Sequence, residues 1–161
     1  MTDKNQDIDM GLGLLDQDLD SIEDLPGFEV PPTGEYLLKM TTAIKKINDK
    51  IFVETSYEVL ECVKQDKEED IPAKLGNKFS SLFTIKGDGK DAEKDAEMVR
   101  LGKGKLKELL VDIAEATGQG NLLVLVRDIV ADCTVNATVK RRQDKEDKEK
   151  FYGNVKNLRL A

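Results

Sequence analysis

Two clusters late in the chain carry the residue types needed to hold a polyanion. Lys140-Arg141-Arg142 is followed by Lys145, Lys148 and Lys150, and these lead directly into Phe151-Tyr152. Cations spaced along a groove replace the counterions condensed on a phosphate backbone, and aromatic rings give unpaired bases a face on which to stack. Lys39, Lys78 and Lys156 add cations from other parts of the chain, and Phe52 adds a ring among Glu54, Ser56 and Glu58. Alternation along a strand predicts that one of Phe151 and Tyr152 is buried. Phe151 shares parity with Val155, so Tyr152 is the expected stacking ring. The plainer reading of residues 143–150, which mix both signs, is a solvated hairpin loop.

Other chemistries find less support. The chain has no histidine, which removes Ser-His and Cys-His nucleophile pairs and histidine-ligated zinc. Cys62 and Cys133 each lie in an alternating apolar stretch and read as two buried, reduced thiols. Gly102-Lys103-Gly104-Lys105 lacks the spacing of a phosphate loop, and Leu106 stands where a magnesium-binding hydroxyl would be needed. Asp88, Asp91, Glu93, Asp95 and Glu97 do not follow the calcium-loop pattern and read as a solvated loop and helix face. Neither a catalytic residue nor a cofactor or metal site is expected. The expectation is a protein that is not an enzyme.

Charge divides the chain. Of its 161 residues, 25 are Lys or Arg and 32 are Asp or Glu, for a net charge of −7. Residues 1–34 hold nine acids and one base, which leaves 24 bases and 23 acids from Glu35 onward. The body is thus nearly neutral and the leader strongly acidic. Pro31-Pro32-Thr33-Gly34 suits the junction, so the expected organisation is an acidic, disordered arm over residues 1–31 and one domain over 32–161. Were the arm to become helical, Leu15, Leu19 and Ile22 would share a face. No apolar run approaches a membrane span, and the start lacks the pattern of a secretory signal, so no membrane partner is expected and a cytosolic site is.

The elements that must position these residues follow from period. Tyr36, Leu38, Met40, Thr42 and Ile44 alternate as a first strand; Asn48-Asp49-Lys50 is turn chemistry; Ile51, Val53, Thr55, Tyr57 and Val59 continue as a second. Phe79, Ser81, Phe83 and Ile85 form a third. Leu106, Leu109, Leu110, Ile113 and Ala114 then take helical spacing up to Gly118, although Gly102 and Gly104 weaken any helix running continuously from Asp91. Residues 122–129 are apolar enough for a buried strand or for one short helix packed on the core, and the short helix is expected. Cys133, Val135, Ala137 and Val139 form a fourth strand and residues 151–158 a fifth. Three strands, a helix and two strands predict a mainly β fold with one main helix, a five-stranded Greek-key barrel of the OB-fold type with the helix between strands 3 and 4.

The ordered series Pro32-Thr33-Gly34-Glu35-Tyr36, Tyr57-Glu58-Val59-Leu60, Gly76-Asn77-Lys78-Phe79, Leu106-Lys107-Glu108-Leu109-Leu110 and Tyr152-Gly153-Asn154-Val155-Lys156-Asn157-Leu158 resembles a family of short bacteriophage proteins similar to single-stranded DNA-binding proteins, long catalogued as a domain of unknown function. The resemblance implies an OB-fold that coats phage DNA in replication or recombination without catalysis, in the cytoplasm of the infected bacterium. Its implied partners are single-stranded DNA and, through the acidic arm, phage or host replication and recombination proteins. The arm is amino-terminal here, whereas such proteins commonly carry an acidic tail at the other end. The alternative is a virion structural or assembly protein using the same small barrel for protein contacts; an inhibitor that mimics DNA with its acidic leader is a third reading.

Overall fold

The computed structural model describes residues 4–21, 30–67, 74–148 and 150–161. Five antiparallel strands form one sheet: β1 (Gly34–Ile47), β2 (Lys50–Gln65), β3 (Lys78–Lys86), β4 (Asp132–Gln143) and β5 (Phe151–Leu160). Their order across the sheet is β3-β2-β1-β4-β5, so β1 is central and β3 and β5 are the edges. Asn48 and Asp49 have φ of 49° and 67°, the double left-handed backbone of a two-residue hairpin turn, and they join β1 to β2 where the sequence predicts a turn.

The inward residues match the alternation in the sequence. Tyr36, Leu38 and Met40 of β1, Val53, Tyr57 and Val59 of β2, Phe79 of β3, Val135, Ala137 and Val139 of β4 and Leu158 of β5 are all buried. Burial pushes the Tyr57 phenol up to about 12 and also raises the Cys133 thiol. Both cysteines are free but only half-buried, packed against the core where their setting in the sequence suggests full burial.

Helix α2 (Ala92–Thr117) follows α1 (Lys4–Leu14) in the chain and covers the inward face, packing on β3 and β5 through Leu106, Leu109, Leu110 and Ile113. It is continuous through Gly102 and Gly104, contrary to the expectation drawn from helix propensity. Two features explain this. The Asp91 side chain caps the start by accepting from the amides of Glu93 and Lys94, and Gly118 ends the helix at φ 69°. A Cβ on Gly102 would stand 2.1 Å from the carbonyl oxygen of Thr84, so the glycine lets the helix backbone lie directly against β3. A short helix follows, one α turn over Leu122–Val124 running into a π turn over Leu125–Ile129. Among the described residues, no single helix is long and apolar enough to cross a membrane.

The sheet is curled but not closed. The pairings run β3 to β2, β2 to β1, β1 to β4 and β4 to β5, with no ladder joining β3 to β5 among the described residues. The two edges nevertheless meet through side chains, for a Cβ on Gly153 of β5 would lie 3.3 Å from the ring of Phe79 on β3.

The acidic leader is in part helical. Helix α1 precedes a single 3-10 turn at Leu19–Ser21, and Ile8, Met10, Leu12, Leu14, Leu15 and Leu19 are exposed. The face proposed for Leu15, Leu19 and Ile22 is not formed by this helix, which ends before Leu15; Ile22 lies outside the described residues. At the other side of the junction, Val30 is packed against the core and Pro31 and Pro32 are buried. Tyr36 donates its hydroxyl to the carbonyl of Pro32.

Candidate nucleic-acid interface

Beyond Gly34, which is paired to Val139, β4 and β5 continue without β1 as a two-stranded ribbon. Arg141 is opposite Gly153, Arg142 opposite Tyr152 and Gln143 opposite Phe151. The loop at its tip is organised by Asp144. Its carboxylate accepts from the amides of Glu146 at 2.8 Å and Asp147 at 3.3 Å and from the Tyr152 hydroxyl at 2.9 Å. Those bonds hold the carboxyl below its ordinary range, the Glu146 amide contributing most. The Asp144 amide in turn donates to the Lys150 carbonyl, and the Gln143 side chain donates to the Lys148 carbonyl, closing the loop.

Alternation fixes which side chains share a face. Lys140, Arg142, Tyr152, Asn154 and Lys156 point outward with Thr138, which pairs with Lys156. Arg142 stacks over the Tyr152 ring at 5.8 Å from its centroid and Lys150 lies at 5.4 Å from the same ring. The hydroxyl of Tyr152 raises the Lys150 ammonium above its ordinary value. Arg141 departs from the expectation of a shared outward set: it lies on the reverse face, 4.9 Å from the centroid of Phe151. The expectation that one of the two rings is buried also fails. Phe151 and Tyr152 are each 40% exposed, because the ribbon has already left the sheet and its core by that point.

Arg159 is a cation that alternation alone assigns to the wrong face. It lies three positions after Lys156, an odd offset that in a regular strand would put the two on opposite faces. Asn136 pairs with Arg159 and Thr138 with Lys156, so β5 carries an extra residue between them, with Asn157 at φ 53°. This bulge turns Arg159 outward beside Lys156 while Leu158 stays buried. Asparagine tolerates left-handed backbone better than most residues, so Asn157 is the one signal in the sequence that could have marked it.

The outward face of the ribbon and of the strands behind it therefore presents Arg142, Lys140, Lys156 and Arg159, and the sequence contains no Asp or Glu from 133 to 143 or from 150 to 161. Lys145 and Lys148 are exposed in the loop, where Asp144, Glu146 and Asp147 accompany them.

The remaining site residues read from the sequence lie elsewhere on the outward face. Lys39, Glu58 and Lys78 form one row across β1, β2 and β3, with a carboxylate between the two cations. Phe52 is half-buried opposite Lys45 near the β1–β2 turn, and Lys45 is bonded to Glu54 at 2.8 Å. Eleven residue steps along β1 lead from Lys45 to Gly34 and three along β4 lead from Val139 to Arg142. Phe52 and Tyr152 are thus separated by roughly 45 Å of strand path. They belong to opposite ends of the sheet.

The glycine and acid motifs resolve into structure. Gly102 to Lys105 lie inside α2. Asp91 is the helix cap, Asp95 accepts from the Gly89 amide, and Glu97 pairs with Arg100 at 2.6 Å. Among the described residues, no group of three or more Cys, Asp or Glu could hold a metal ion. No family model, curated protein or solved structure matches the chain.

Proposed function

We propose that this chain is a non-enzymatic single-stranded DNA-binding protein of the phage type, acting in DNA replication or recombination in the cytoplasm of an infected bacterium. The observation that carries the reading is the outward face of β4 and β5, where Lys140, Arg142, Lys156 and Arg159 share one face with Tyr152 and no acid stands on either strand past Asp132. Such a face neutralises phosphates and offers a ring to a base. The proposed fold is an OB-fold-like barrel with its last seam unladdered; the strand order, the helix between β3 and β4 and the side-chain contact between the two edges favour it. Lys145 and Lys148 extend the grip into the loop. Lys39 and Lys78 come next along the outward face and Phe52 last. The acidic arm is the segment for replication or recombination partners.

Fluorescence polarisation with single-stranded and duplex probes over a range of salt tests the reading. The unpaired probe is expected to bind more tightly. Four phosphates neutralised on the outward face give a slope of log affinity against log salt of about −3. Tyr152→Ala is expected to cost about 1–3 kcal/mol of binding, and Phe52→Ala less. Equal affinity for the two probes, or a flat salt response, overturns the proposal.

A further inference from the structure

The outward face accounts for only one of the ribbon's two rings that carry a cation. Arg141 over Phe151 repeats on the reverse the arrangement of Arg142 over Tyr152, and the two rings are exposed to the same 40%. Neither ring is spent on the core. A strand of nucleic acid lying along one face can reach one ring and not the other, because adjacent residues of β5 project to opposite sides. The two edges of the ribbon also differ. On the β4 side, Thr33 occupies the edge by accepting from the Arg141 amide at 3.0 Å, whereas β5 is the last strand of the sheet.

Resting on the single-strand reading above, we infer that Phe151 and Arg141 form a second stacking platform, back to back with Tyr152 and Arg142, and that a bound single strand bends around the β5 edge so that separate segments stack on the two faces. Stacking needs only the π-face of a base, so two platforms of this kind accept any sequence. The arginine beside each ring is close enough to exchange its ring contact for a phosphate when a base takes the ring. The ligand implied is an unpaired, flexible strand long enough to turn a corner; a duplex is too stiff to follow it.

The experiment uses the full chain with thymidine oligonucleotides of about four and about 16 nucleotides, the limits of site size for one such domain, the longer one carrying a donor and an acceptor dye at its ends. Binding to the wild-type chain is expected to raise energy transfer in the longer probe. Phe151→Leu, which keeps apolar volume and removes the ring, is expected to weaken the longer probe by about 5- to 150-fold, leave the shorter one unchanged and abolish the gain in transfer. Tyr152→Leu is expected to weaken both. The inference is overturned if Phe151→Leu binds the longer probe as the wild type does, if it weakens both probes equally, or if it lowers only the melting temperature, which would make Phe151 a packing residue. Should the wild-type chain bind neither probe, the single-strand reading falls and takes this one with it.

Discussion

The two long hairpins of this protein use their lysines and arginines in opposite ways. In β1–β2 the outward cations sit among acids: Lys45 is bonded to Glu54, and Glu58 separates Lys39 from Lys78. In β4–β5 the outward cations have no acid on either strand past Asp132, and those near the tip rest on aromatic rings. A cation paired with a carboxylate brings little net charge to a polyanion, whereas one resting on a ring keeps its charge and is held in place. Equal numbers of lysines therefore make unequal surfaces. What distinguishes the hairpins is the identity of their neighbours across the ladder, which only the register reveals.

The largest effect that separates the hairpins lies at their roots. Tyr57 anchors β2 in the core with its phenol raised to about 12 from an ordinary 10. In the unfolded chain that phenol ionises near its ordinary value, so the stability it contributes is complete below pH 10 and is lost as pH rises toward 12. About 3 kcal/mol is at stake. Denaturant titrations at stepped alkaline pH should show this loss, and Tyr57→Phe should remove most of the dependence.

A smaller effect tests the charges directly. Arg142→Gln is expected to reduce the salt slope for a single-stranded probe by about 0.7, the contribution of one phosphate, while Lys45→Gln leaves the slope where it was. Lys45→Gln should change stability by no more than about 1 kcal/mol, as the lysine is half exposed. Equal changes in slope for the two variants would erase the distinction between the hairpins.

The smallest effect is local. Asp144 is held below its ordinary range by the amides and the Tyr152 hydroxyl it accepts. Its ordering of the tip is complete above the ordinary carboxylate range and is lost as pH falls through the lower folded value. Ring resonances of Tyr152 should move over that acid interval while those of Tyr57 do not. Asp144→Asn should flatten the response.

Much of the fold was legible because the signals were local. Alternation placed each strand, and it put Tyr57 inside and Phe52 outside. Residues 122–129, ambiguous by composition, form the expected short helix. The errors arose where a distant contact overrides a local rule. Gly102 weakens a helix in isolation and is required here by Thr84, a residue of another element. Arg141 was grouped with its sequence neighbours although alternation separates it from them, and Phe151 was expected in the core because nothing in the sequence says where β1 stops covering β4. Arg159 was missed because a single bulge at Asn157 inverts the count. For Phe151 and Arg159 the deciding fact is how the neighbouring strand runs alongside, and for how long.

Where β5 passes β3, the seam includes the Phe79 ring against Gly153, with Val30 leaning on the same glycine. A joint of that kind resists compression but does not lock rotation as a row of peptide bonds would. The ribbon is consequently footed on the body by side-chain packing here and by the Thr33 hydroxyl that accepts from the Arg141 amide, in place of a continuous ladder.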